Sequence, residues 1–146
     1  MNETEYLLDT NIISELMRES PEPLLLEWFE NKKDNKFFIS AITRAEILLG
    51  IELLPESKKK NQLKYTFDLI IEEDFRDQCL AFDENAAVKY AKIIVQRNKL
   101  GRPVSVEDAF IAAISLANNT TLVTRNEKDF LGIEDLEIIN PWKLTQ

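Results

Sequence analysis

At 146 residues with 45% hydrophobic content, the chain has the size of one domain, with enough apolar material for its own core and no need of disulfides or a structural metal to fold. Its formal charge of −8 counts against binding nucleic acid through a broad basic surface. It contains no histidine, which excludes a Ser-His-Asp triad, a His-paired cysteine nucleophile and a histidine-based metal-free ribonuclease, and leaves carboxylates, hydroxyls, lysines or an oxygen-bound metal to carry any chemistry.

In chain order, Met1-Asn2-Glu3-Thr4-Glu5 is acidic where a signal peptide is basic, so a cytoplasmic location is expected. Glu5–Leu8 reads as a strand and a helix follows from about Asn11. A second helix spans Glu22–Asn31, with Leu25, Trp28 and Phe29 on one face. Lys36–Ile39 reads as a strand, after which Ser40 caps a helix running to about Leu54. Lys58–Phe75 is helical with Leu63, Phe67, Ile70 and Ile71 inward. Leu80–Phe82 is a short strand, and Cys79 just before it reads as a small buried hydrophobe of a reducing compartment. Asp83 then caps a helix whose apolar stripe is Ala87, Tyr90, Ala91, Ile94 and Val95, broken by Gly101-Arg102-Pro103. Ser105 starts a further helix with Phe110, Ala113, Ile114 and Ala117 on one face. Thr120–Val123 and Leu136–Ile139 are the last strands. No apolar run approaches the roughly 18 residues of a membrane span, and the three glycines allow no phosphate-cradling loop.

Alternating strands and helices predict an α/β architecture: a parallel sheet with helices on both faces and a ligand site beyond the carboxyl ends of the strands. Three carboxylates fall there: Asp9 after the first strand, Glu46 in the early turns of the helix after the second, and Asp108 in the first turn of the helix from Ser105. Near the next strand end stand Thr124-Arg125-Asn126 and Asp129. Each acid has an ordinary alternative. Asp9 could answer a helix dipole, and Thr43-x-x-Glu46 and Ser105-x-x-Asp108 have the spacing of capping boxes. Converging at one sheet edge, however, they would repel one another, and a hard divalent cation such as Mg²⁺ or Mn²⁺ relieves that repulsion through oxygen ligands. Thr43, Glu46 and Gly50 share one helix face, and Gly50 leaves room beside the carboxylate. The chemistry this suggests is metal-assisted hydrolysis of a phosphate mono- or diester.

At these residues the sequence resembles the PIN-domain family, and within it the VapC and FitB-like toxins of type II toxin–antitoxin systems. Leu7-Leu8-Asp9-Thr10-Asn11-Ile12-Ile13-Ser14-Glu15-Leu16 resembles the family's opening. Ile39-Ser40-Ala41-Ile42-Thr43, Ala45-Glu46-Ile47 and Gly50-Ile51 resemble its second motif, and Ser105-Val106-Glu107-Asp108 with Ile111-Ala112-Ala113 its third. Thr124-Arg125-Asn126, Asp129-Phe130 and Ile139-Asn140-Pro141-Trp142 resemble its end. The resemblance covers nearly the whole chain, and implies one domain over residues 1–146 with a three-layer α/β/α fold and a central parallel sheet of about five strands. It implies a Mg²⁺- or Mn²⁺-dependent endoribonuclease leaving a 5′-phosphate, a homodimer, and a cognate antitoxin that blocks the site. By position, Asp9, Glu46 and Asp108 match the core acids, with Asp9 and Asp108 holding metal and Glu46 binding it or orienting the attacking water. Thr10 and Asn11 match the flanking polar positions. The fourth acidic position falls on Asn126, which carries no charge, with Asp129 as its substitute or as a turn residue.

Arg44 and Arg125 lie near these motifs and could contact phosphate, as could patches made by Lys58-Lys59-Lys60 with Lys64 and by Arg97, Lys99 and Arg102; a solvated helix face is the plainer use of the lysine run. Asp83 is sufficiently explained as a cap, and Trp28 and Trp142 by packing, although either could stack a base. A haloacid-dehalogenase-like phosphatase would need a second acid where Asn11 stands, and a response-regulator receiver an acidic pair that is missing. A degenerate PIN domain acting only as a protein-binding module is the non-enzymatic alternative; Asn126 favours it and the three intact acids oppose it.

Overall fold

The computed structural model describes residues 3–143. Five strands form one parallel sheet: β1 (Glu5–Leu8), β2 (Lys36–Ser40), β3 (Cys79–Leu80), β4 (Thr121–Val123) and β5 (Ile138–Ile139), in the order β3-β2-β1-β4-β5. The helices between them are α1 (Thr10–Leu16), α2 (Pro23–Asn31), α3 (Ala41–Glu52), α4 (Lys58–Asp74), α5 (Glu84–Lys99) and α6 (Val106–Ala117). The expected three-layer architecture with a five-stranded parallel sheet is what forms.

The pleat explains the two cores. Successive strand residues point to opposite faces, so in β1 Tyr6 and Leu8 join Ile39 and Val123 against Ile12, Leu25, Trp28, Ile47 and Phe67 from α1–α4. Leu7 joins Leu122 on the other face, against Ala86, Ile93, Ala112, Ala113 and Ile114 from α5 and α6. Strands buried on both faces have to be apolar throughout, as β1 nearly is. The chain moves from β1 to β2 and β3 on one side, then crosses by α5 and α6 to β4 on the other side of β1. That reversal opens a crevice at the carboxyl end of the sheet.

Several local expectations are corrected. The third strand is Cys79–Leu80, paired with Ile39 and Ser40, rather than Leu80–Phe82. Phe82 leaves the sheet to pack its ring 4.7 Å from that of Phe110. Cys79 lies on the edge strand and is exposed, not buried. The inward side of α5 is Ala86, Ile93 and Arg97, with Tyr90 and Ile94 half-buried, whereas Ala87 and Ala91 face out and Val95 is 54% exposed. Apolar period alone could not tell which of two adjacent stripes faces the sheet. Arg97 belongs to no surface patch: its Nε donates to the Arg102 carbonyl (2.6 Å) and its Nη1 to that of Asp129 (3.1 Å). No helix among the described residues is long and apolar enough to cross a membrane.

Candidate active site

The carboxyl ends of β1 and β4 define one wall of an open cleft of about 770 Å³. Asp9 directly follows β1 and caps α1, its own amide held by the Val123 carbonyl (2.9 Å). It is only 4% exposed and every contact to its carboxylate is a donor. The Thr10 amide reaches Oδ1 at 2.8 Å, and Asn11 Nδ2 and the Thr124 hydroxyl reach Oδ2 at 3.0 and 2.7 Å. Burial nevertheless pushes the Asp9 carboxyl up, and repulsion from Glu46 adds to it, against those hydrogen bonds.

Thr124 ties the two central strands together. Its hydroxyl donates to Asp9 and accepts from the Asn126 amide (3.0 Å) and Asn11 Nδ2 (3.4 Å). Replacing it by the isosteric Val leaves a buried carboxylate oxygen short of a donor and the Asn126 amide unpaired. Thr124→Val is therefore expected to lower unfolding stability by about 2 kcal/mol; urea denaturation checks this, and an unchanged midpoint would show that the network contributes nothing.

Glu46 is set by a second hydroxyl chain. The Thr43-x-x-Glu46 spacing is not used as a capping box: Ser40 caps α3, its Oγ accepting from the Thr43 amide at 3.0 Å. Glu46 Oε1 instead accepts from the Thr10 hydroxyl at 2.6 Å. Thr10 Oγ1 also lies 2.9 Å from Thr43 Oγ1, and since the Thr10 proton goes to Glu46, fully buried Thr43 is the donor of that pair. Thr10 thus joins the Glu46 helix to the Asp9 turn.

Asp108 joins the same cleft from the first turn of α6, whose cap Ser105 accepts from the Asp108 amide at 3.1 Å. Its carboxyl is pushed up to about 6, by burial first and then by the charges of Asp9, Asp129 and Glu46, with the Ser105 hydroxyl opposing. The charges of three carboxylates on three other segments therefore reach Asp108 in one cleft. Asn126 and Asp129 line it too, as do Glu15, Arg18, Glu107, Arg125 and Trp142. Glu15 and Arg18 are additions to the sequence-derived set; Glu15 stands within the opening motif, and Arg18, just past the end of α1, is signalled only by its i,i+3 charge spacing from Glu15. Arg44 is exposed on α3 and is not among the lining residues. Lys60 is engaged with Glu56 (2.9 Å) and Glu52 (3.7 Å), and Trp28 is in the core.

Among the described residues no three carboxylates stand close enough to cage a metal ion. The donor set suits a mostly hydrated one. Mg²⁺ usually keeps several waters and takes one or two carboxylates, and an all-oxygen site with mutually repelling acids is matched by a hard cation.

A PIN-domain family model matches residues 6–135. The chain is 36% identical to the toxin FitB of Neisseria gonorrhoeae (strain ATCC 700825 / FA 1090), over 93% of this chain and 97% of that protein. It is 31% identical to the VapC ribonuclease Y4jK of Sinorhizobium fredii (strain NBRC 101917 / NGR234), over 94% and 97%. The fold superposes on a chain of the FitAB complex bound to the IR36 DNA fragment with a TM-score of 0.85 and 36% identity, covering 97% of this chain and 98% of that one.

Proposed function

We propose, since the chain belongs to the PIN-domain family, that it is a divalent-metal-dependent endoribonuclease, the toxin of a toxin–antitoxin pair. The observation that carries this reading is the convergence of Asp9, Glu46, Asp108 and Asp129 on one polar cleft, with Asp108 held far above the ordinary carboxylate range. A bound Mg²⁺ or Mn²⁺ would polarise the phosphoryl oxygen, make a neighbouring water more acidic and offset charge in the transition state. Asp9, at the end of β1, and Asp108, on α6, would hold the ion between them. Asp9 is pre-aimed by three donors, which spare it any rearrangement on loading. Glu46 has one oxygen fixed by Thr10 and no hydrogen bond to the other among the described residues, so that oxygen is available to orient a water for in-line attack on the phosphodiester. Asp129 supplies the charge that Asn126 lacks, and the Asn126 side chain supports the water network. The product expected is a 5′-phosphate.

A cognate antitoxin that covers the cleft is part of the reading, supported by the FitAB complex to which the fold is similar. A homodimer is supported by large apolar side chains left exposed on α3, just after it and on α5, namely Leu49, Leu53, Val88 and Val95. The alternative of a degenerate binding module is weakened by Asp129, an acid that lines the cleft together with Asp9, Glu46 and Asp108.

The test is incubation of antitoxin-free protein with total cellular RNA in Mg²⁺, in Mn²⁺ and in EDTA. Discrete fragments in either metal, absent in EDTA, are expected. Intact RNA throughout, from folded protein, would move the assignment to a binding module.

A further inference from the structure

An acidic cleft that is to hold a polyanion needs a cation of its own beside any metal. Among the described lining residues the cationic ones are Arg18 and Arg125. Arg18 is committed to Glu15, its Nη1 lying 3.2 and 3.0 Å from the two carboxylate oxygens. Arg125 has no ion pair and no side-chain hydrogen bond among the described residues, although six acids line the same cleft. Its guanidinium lies instead over the ring of Trp142, 4.8 Å from the centroid.

The surroundings hold it there. Its amide donates to Asn11 Oδ1 (3.2 Å), tying it to the Asp9 turn. Buried Asn140 donates to the Arg125 carbonyl (3.3 Å) and to Glu127 Oε2 (3.0 Å), and its Oδ1 accepts from the Trp142 amide (3.0 Å). Glu127, two residues from Arg125, is also occupied by Lys143 at 2.7 Å and is not left to capture the arginine. One asparagine thus orders the arginine, the indole beneath it and the nearby acid. A guanidinium stacked on an aromatic face keeps its N–H edge free, the edge that binds phosphate in bidentate fashion.

We propose that Arg125, laid on Trp142 and unpaired at the rim of the acid cleft, is the group that grips an RNA backbone phosphate flanking the scissile bond. This rests on the ribonuclease reading above. It explains how a chain of charge −8 can hold RNA: by one placed cation rather than by bulk attraction.

The test uses a short mixed-sequence single-stranded RNA and fluorescence anisotropy at several salt concentrations, in an Asp9→Asn background so that the strand stays whole. Arg125→Gln is expected to weaken binding about 10-fold and to flatten the slope of log K against log salt by about 0.7, the loss of one phosphate contact. Arg125→Lys should keep the slope and regain part of the affinity. With Asp9 intact, Arg125→Gln should raise KM by a similar factor and leave kcat within about 2-fold, as loss of uniform binding does. Unchanged affinity and slope in Arg125→Gln would overturn the proposal, and so would a loss confined to antitoxin binding, which would make Arg125 a protein contact. Metal-dependent cleavage indifferent to Arg125 would leave the enzyme reading standing without this inference. Arg125-dependent RNA binding without cleavage would leave the inference standing without the enzyme, and no RNA binding at all would overturn both.

Discussion

Asp9→Asn is expected to reduce metal-dependent RNA cleavage by on the order of 10²–10³-fold or more while the protein remains folded. The size follows from losing the charge of a group that would contact the ion, since removing a single preorganised electrostatic contact at a reacting centre costs on that order. Persistence of the fold needs its own argument, because Asp9 is buried and hydrogen-bonded at the junction of β1 and α1. An amide in its place keeps one oxygen for the Thr10 amide and presents an NH₂ to Asn11 and Thr124. The donor–donor conflict costs about 1–2 kcal/mol. Against it stands the relief of burying a neutral group where a carboxylate is disfavoured. The two offset, so far-UV circular dichroism and the melting temperature should stay close to wild type. Cleavage of cellular RNA at the wild-type rate by Asp9→Asn would remove Asp9 from the mechanism; loss of fold would remove the interpretation of its inactivity.

The parts of the molecule that were readable in the sequence are those with local causes. The strand Glu5–Leu8 was legible because a buried parallel strand must be apolar and the next residue is a cap. The positions of Asp9, Glu46 and Asp108 followed from one rule, that parallel strands deliver their following residues to one edge. What was not legible depended on contacts between distant segments. Ser40 was legible as the cap of its helix, but Thr43 and Glu46 also have capping-box spacing, and only the arrival of Thr10 from 36 positions away shows that the Glu46 side chain reaches across to another helix. Arg97 has the local sequence of a basic patch with Lys99 and Arg102, yet the turn ending at Asp129 buries it against two carbonyls. Cys79 sits among apolar neighbours but at the sheet edge, and strand order is a global property that no window of sequence contains.

Asp108→Asn should make the metal-free protein more stable at about pH 7.5, by about 1 kcal/mol, and should abolish cleavage. The sign follows from the direction of the shift. The Asp108 carboxyl is raised from 3.8 to about 6, chiefly by burial and then by the neighbouring acids. Below the unfolded value both states carry the proton and the group contributes nothing. Between the two values the folded state keeps the proton and the unfolded state has lost it, so stability falls as pH rises. Above about 6 both are ionised and the full penalty is present. A shift of this size corresponds to about 3 kcal/mol at one pKa unit per 1.4 kcal/mol, and partial solvent exposure of the side chain reduces it to about 1. For a chain of this length that is about 2–4 °C in melting temperature. Thermal unfolding in EDTA at about pH 5 and about pH 7.5 reads it directly: the gap between Asp108→Asn and wild type should open at the higher pH and close at the lower. Adding Mg²⁺ at the higher pH should stabilise wild type and do little for the variant, because an ion bound only by the folded state adds stability by mass action. A variant less stable than wild type in EDTA at the higher pH would mean that Asp108 serves the fold. The expected result separates the two uses of an acid near a helix start: the Ser105 cap already satisfies the first turn of α6, and a carboxylate that weakens the fold until a cation arrives is there for the cation.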